Sequence, residues 1–121
     1  MTGSILVVED DADIRDSMLE LLADEGLSVT CAVNGLDALN KLRAAAELPK
    51  LILLDLMMPE MDGYTFRAEQ LKDQRLAKIP VVLMSAGGEL EAKAKQLDAQ
   101  GVMKKPFRDL ELIFSTLSKF F

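Results

Sequence analysis

LILLDLMMPEMDG, residues 51–63, opens with four strongly apolar side chains and then turns abruptly to an aspartate. Leu51, Ile52, Leu53 and Leu54 lack the polar alternation of a strand with one wet face, so the run reads as a strand buried on both faces. Asp55 stands at the edge of that core, and a charge there needs a partner or a task. Pro59 and the Asp62-Gly63 pair are turn formers that close the segment.

Similar apolar runs recur along the chain: SILVV (4–8), SVTCA (28–32), KLILL (50–54), PVVLM (80–84) and GVM (101–103) are the strand candidates. Amphipathic stretches lie between them. Ile14, Met18, Leu21 and Leu22 repeat at helical spacing with Gly26 as the C-terminal stop. Asn34 caps a second helix whose Ala38, Leu39 and Leu42 face inward. A less regular helix surrounds Phe66 and Leu71, a fourth is lined by Leu90, Ala94 and Leu97, and a fifth by Leu110, Ile113, Phe114 and Leu117. Strands alternating with helices predict an α/β fold, a doubly wound parallel sheet with helices on both faces, because right-handed crossovers place them there.

The chain of 121 residues fits one domain with a core of its own. Its net charge of -6 argues against a basic surface for phosphate backbones, so direct nucleic-acid binding is not expected. No apolar run approaches the roughly 18 residues of a membrane span, and MTGSILVVED lacks a basic, then long apolar, leader. The expectation is a soluble, cytoplasmic protein with no membrane partner. Cys31, the single cysteine, reads as a small core residue. The absence of histidine removes the commonest general base and metal ligand, which leaves carboxylates, hydroxyls and lysine for any chemistry. The seven methionines read as core filler.

In open α/β sheets the functional site lies beyond the carboxyl ends of the strands. Those ends carry Glu9, Asp10 and Asp11, then Asp55, Ser85 and Lys105. Two carboxylates about 5 Å apart repel by roughly 3 kcal/mol at an effective dielectric near 20, so such a cluster requires cations. Lys105 supplies one charge and a divalent ion the rest; hard oxygen donors without His or Cys suit Mg²⁺. Asp11 reads as a cap on the following helix, and Lys104 as a solvated neighbour of Lys105. A carboxylate beside Mg²⁺ and an ammonium is equipped to attack phosphorus, with Ser85 hydrogen-bonding a phosphoryl oxygen and an acyl phosphate as product.

ILVVEDD with Glu9 and Asp10, LLDLMMPEMDG with Asp55, VVLMSAG with Ser85 and KKPF with Lys105 together resemble the response-regulator receiver domain of two-component signalling, over essentially the whole chain. The resemblance implies a flavodoxin-like sheet of order 2-1-3-4-5, with residues 1–121 forming a single receiver domain. It implies that Asp55 is the phosphoacceptor and that Glu9, Asp10 and Asp55 hold Mg²⁺ through side chains and Met57 through its backbone carbonyl. A cis Lys105-Pro106 peptide is implied as well. The implied partners are a sensor histidine kinase or phosphotransfer protein and a downstream effector protein; the implied role is a signalling switch rather than a metabolic enzyme.

Val102 stands where many such domains carry an aromatic ring that rotates on activation, so the expected output is a backbone rearrangement of the 85–90 loop, which contains Gly87-Gly88. Met57 and Gly87 cannot position a water by a side-chain hydrogen bond, so slow self-dephosphorylation is expected. Leu112, Phe120 and Phe121 fall off the last helix's inner stripe, and a phosphorylation-dependent dimer through the last two helices and Val102 is the corresponding expectation. Two other classes compete: a receiver-like interaction module that is never phosphorylated, and an aspartate-nucleophile phosphohydrolase. Phosphohydrolases resembling haloacid dehalogenases want a second aspartate two residues after the first, where this chain has Met57.

Overall fold

The apolar runs become one parallel sheet. A computed structural model describes residues 1–107 and 109–121, in the order β1 (Gly3–Val8), α1 (Ala12–Asp24), β2 (Leu27–Ala32), α2 (Gly35–Ala44), β3 (Leu51–Asp55), α3 (Gly63–Lys72), β4 (Val81–Ser85), α4 (Leu90–Gln96), β5 (Gly101–Lys104) and α5 (Leu110–Leu117). Every strand expected from sequence forms, with ends within one residue of the apolar runs. The sheet order is β2-β1-β3-β4-β5 with all neighbours parallel, which is the doubly wound flavodoxin-like arrangement. Among the described residues no helix is long and apolar enough to cross a membrane.

Side-chain alternation divides the central strands between two cores. Leu6, Val8, Ile52, Leu54, Val81 and Leu83 point to one face, where Leu39, Phe66 and Leu90 of α2, α3 and α4 cover them. Ile5, Val7, Leu51, Leu53, Val82 and Met84 point to the other, under Met18 and Leu22 of α1 and Ile113 and Leu117 of α5. All four apolar residues of β3 are fully buried, each contributing about 1.5–3 kcal/mol by leaving water. The strand with the most apolar sequence thus lies at the centre of the sheet, and Asp55 is held at its end by packing on both faces.

Aspartates and an asparagine start α1, α2, α3 and α5. Asp11 Oδ1 accepts from the Ile14 N–H at 3.1 Å, Asn34 Oδ1 from Asp37 at 2.8 Å, Asp62 Oδ1 from Thr65 at 2.9 Å and Asp109 Oδ1 from Leu112 at 3.2 Å. Each satisfies one N–H that the helix cannot. Gly26 follows the end of α1 with φ 92°, as its place after the apolar stripe implied.

Of the two residues that mark α3 in the sequence, Phe66 is buried together with Arg67 and Gln70, and Leu71 is 44% exposed. One inward-facing expectation is corrected: Leu110 is 51% exposed, while Ile113 and Leu117 of α5 are buried and Phe114 packs against the same core. Arg67 is fully buried although no carboxylate forms an ion pair with it among the described residues: Nε donates to the Leu97 carbonyl at 3.0 Å, Nη2 to that of Asp98 at 2.8 Å and Nη1 to Gln70 Oε1 at 2.7 Å. Gln70 Nε2 in turn donates to the carbonyls of Leu76 and Ile79, both at 3.0 Å. This network ties α3 to the turn between α4 and β5.

Candidate functional site

The strand tips converge. Glu9 follows β1 by one residue, Asp55 and Ser85 are the last residues of β3 and β4, and Lys105 follows β5 by one. Parallel pairing in register, with Val8 beside Leu54 and Asp55 beside Met84, brings these ends to one edge. There, one oxygen each of Glu9, Asp10 and Asp55 lie within 4.8 Å of one another, the one such group of three acidic residues among the described residues. Lys105 Nζ contacts Glu9 Oε1 and lies 3.5 Å from Asp55 Oδ2. Ser85 Oγ accepts from the Gly87 N–H at 3.2 Å, so its own proton is free to donate. Glu9, Asp10, Asp55, Ser85, Lys93 and Lys105 line a cleft of about 480 Å³.

Burial graded along the cleft sets its electrostatics. Glu9 is fully buried, Asp55 and Ser85 nearly so, and Asp10 is exposed. Burial raises the Glu9 carboxyl from 4.5 to about 7; Lys105 and the Asp11 N–H, 3.2 Å from Oε2, pull it down, and the Asp55 charge pushes it further up. Glu9 Oε1 is met by the Lys105 ammonium and has no other hydrogen-bond partner among the described residues. Three carboxylates against one ammonium leave an excess of negative charge. A buried carboxylate oxygen short of donors, two further carboxylates within ligand distance and no softer ligand at hand together fit a hard divalent cation.

The surrounding backbone is shaped to hold these groups. Gly63, the first residue of α3, packs directly on the loop after β3: its N–H donates to the Leu56 carbonyl at 3.0 Å, and a Cβ there would stand 2.5 Å from the Asp55 carbonyl oxygen. Only glycine permits that approach. The Met57 N–H points at Asp55 Oδ1 from 3.5 Å, a long contact, while the Met57 side chain is 73% exposed. The Lys105-Pro106 peptide is cis, as the resemblance implied. Asp11 caps α1, and Lys104 is exposed, both as expected.

Two residues that the sequence reading passed over belong to this neighbourhood. Arg15 Nη1 donates to the carbonyls of Glu9 at 2.9 Å and Asp10 at 3.2 Å, which fixes the acidic loop. Its position one turn after the Asp11 cap is the signal that would have found it. Lys93 reaches the cleft from α4, and no motif marks it.

Known proteins share this architecture. The model of the response regulator receiver domain matches residues 5–116. A transcriptional regulatory protein, the CpxR homolog of Haemophilus influenzae, is 39% identical over 114 residues, covering 92% of this chain and 47% of that protein. The chemotaxis response regulator CheY4 of Vibrio cholerae superposes with a TM-score of 0.87 at 28% identity, covering 100% of both chains. The receiver domain of a signal transduction histidine kinase from Syntrophus aciditrophicus gives a TM-score of 0.80 at 28% identity, over 94% of this chain and 86% of that one. The chain spans about half the length of the first curated relatives it matches, 47%, 51% and 54%. With the sheet order, the strand-end cluster and the matched residues in agreement, the chain belongs to the response regulator receiver domain family, a signalling domain of two-component systems.

Proposed function

We propose that this chain is a phosphoacceptor switch: Asp55 takes a phosphoryl group from a histidine kinase or a phosphotransfer protein with Mg²⁺ bound, and the modified strand edge alters binding to a downstream effector. The observation that carries this reading is the meeting of Glu9, Asp10 and Asp55 within 4.8 Å with Lys105 reaching both Glu9 and Asp55. Residues 1–121 act in it as one receiver domain, in the cytoplasm.

In the transfer, an Asp55 carboxylate oxygen attacks phosphorus and an O–P bond forms. The P–N bond of the donor phosphohistidine breaks, its electron pair goes to the imidazole nitrogen, and that nitrogen takes up a proton. Glu9, Asp10 and Asp55, with the Met57 carbonyl, would hold the cation, which supplies positive charge beside the transferring oxygens. Lys105, already spanning Glu9 and Asp55, neutralises a phosphoryl oxygen, and Ser85 donates its hydroxyl proton to another. The acyl phosphate adds negative charge at the mouth of the cleft, where the 86–89 loop is exposed and Glu89 holds a left-handed φ of 58°. A loop so placed, on a strand edge whose Val102 has no ring to rotate, supports a backbone rearrangement as the output. Leu112, 62% exposed on α5, supports docking of a partner or second copy on the α4, Val102 and α5 face.

Incubation with acetyl phosphate and Mg²⁺ followed by intact mass tests the reading. Wild type gains one stable phosphoryl group and Asp55→Asn gains none. Consumption of donor without an adduct indicates a phosphohydrolase, and no reaction indicates a module that works unphosphorylated.

A further inference from the structure

Lys93 lies in α4, outside every motif of the strand ends, yet its ammonium turns toward the cleft. A Cβ built at Gly87 would stand 3.2 Å from Lys93 Nζ and 3.5 Å from Ser85 Oγ. The ammonium and the hydroxyl therefore flank the space that the missing side chain leaves, and Lys93 lines the same cleft as Asp55, Ser85 and Lys105. Among the described residues no carboxylate pairs with it. Glu89, four residues earlier, is the left-handed residue that precedes α4 and does not pair with the ammonium. Half-buried and lining the acidic cleft, Lys93 lies in the field of its carboxylates.

Charge balance gives it a purpose. When all three are ionised, Glu9, Asp10 and Asp55 carry three negative charges against the single positive charge of Lys105, and a divalent cation brings the cluster to neutrality. Phosphorylation replaces one carboxylate charge by about −1.5 to −2 on the phosphoryl oxygens, so the loaded site again lacks a positive charge. Lys105 approaches Asp55 from the end of β5, whereas Lys93 approaches from beyond Ser85 on the α4 side. A phosphoryl group on Asp55 has a cation on each flank.

Resting on the phosphoacceptor reading, we propose that Lys93 is a second phosphoryl-binding cation of this site, reaching a phosphoryl oxygen of modified Asp55 across the gap at Gly87. The Lys93 N–H donates to the Glu89 carbonyl at 3.0 Å, in the first turn of α4. An ammonium drawn inward pulls on that turn, so phosphorylation is transmitted to α4 directly, without an aromatic ring at position 102. A side chain at Gly87 crowds that path, since its Cβ would already stand 3.2 Å from the ammonium, and a branched one fills the space between Lys93 and Ser85.

Beryllofluoride with Mg²⁺, a non-covalent stand-in for the phosphoryl group, tests the assignment on the full chain by fluorine NMR titration. Wild type, Lys93→Gln, Lys93→Arg and Gly87→Val are compared, with binding of Mg²⁺ alone measured beside them. Lys93→Gln binds the mimic about tenfold more weakly, about 1.4 kcal/mol, Gly87→Val follows it, and Lys93→Arg stays within about threefold of wild type. Mg²⁺ alone binds Lys93→Gln as tightly as wild type or more tightly, because a like charge has been removed. A structural defect would weaken both ligands together, and that result overturns the assignment, as does equal affinity of wild type and Lys93→Gln for the mimic. A wild type that does not bind the mimic at all overturns the phosphoacceptor reading, and the assignment with it.

Discussion

Glu9 is the residue through which the site and the stability of the fold are coupled. It is fully buried, and burial raises its carboxyl from 4.5 to about 7 against the pull of Lys105 and the Asp11 N–H, with Asp55 adding to the rise. Between those two pH values the folded chain keeps a proton that the unfolded chain has released, so the native state binds more protons and stability falls as pH rises. The full effect is absent below about 4.5 and complete above about 7. A difference of about 2.5 units at about 1.4 kcal/mol each gives a loss of about 3 kcal/mol across that window, against a total of about 5–15 kcal/mol for a domain. Asp37, whose carboxyl is lowered because the Val33 N–H and Lys41 outweigh its burial, acts below its ordinary value of 3.8 and outside the window.

Glu9→Gln keeps the shape of the side chain and removes the titration. In EDTA, urea unfolding followed by circular dichroism from pH 5 to 8 shows wild type losing stability and Glu9→Gln holding level, so that the variant is the more stable chain at pH 8. Magnesium reverses the wild-type trend, because a cation binds the deprotonated carboxylates of the native state alone. The same addition does little for Glu9→Gln. Wild-type stability in EDTA that is flat or rises from pH 5 to 8, or a fall that persists in Glu9→Gln, would refute the reasoning.

Arg67→Met removes the donors of the Leu97 and Asp98 carbonyls and of Gln70 Oε1; relief of the buried charge offsets part of this, and the expected net loss is about 2–4 kcal/mol in urea unfolding. Hydrogen exchange accelerates first in the α4–β5 turn, and unchanged stability would show that the charge cost had cancelled the network. Gly63→Ala places a methyl 2.5 Å from the Asp55 carbonyl oxygen, which costs about 1–3 kcal/mol of overpacking and displaces Asp55. Its phosphorylation by acetyl phosphate, read by intact mass, slows at a temperature where the variant remains fully folded.

The strands were legible because uninterrupted apolar runs such as 51–54 have no stable place except between two covered faces. Parity then assigned Leu51 and Leu53 to one core and Ile52 and Leu54 to the other. The acidic cluster followed from the same logic, since the end of each run fixes where Asp55, Ser85 and Lys105 stand. α3 was harder to read because its inner face carries Arg67 and Gln70, whose burial depends on carbonyls some thirty residues away. No local pattern announces such partners. Phe120 and Phe121 were expected to leave apolar area exposed, yet both are half-buried against the α1–α5 core, while Leu112 is exposed. Met18, Met84 and Met103 fill the core as expected, and Met57 is the exposed exception. The place of Lys93 at the cleft was illegible because it depends on where a flexible side chain runs beside Gly87, which spacing alone does not encode.

The most direct test of the central claim is the position of the modification. Wild type treated with acetyl phosphate and Mg²⁺ is reduced with borohydride, which converts an acyl phosphate to an alcohol, and the digested chain is sequenced by mass spectrometry. Modification confined to Asp55, lost in EDTA and in the Glu9→Gln and Lys105→Ala variants, is the predicted result. Modification of Glu9, Asp10 or a remote carboxylate, or modification of Asp55 that needs neither the cation nor Lys105, would contradict the account.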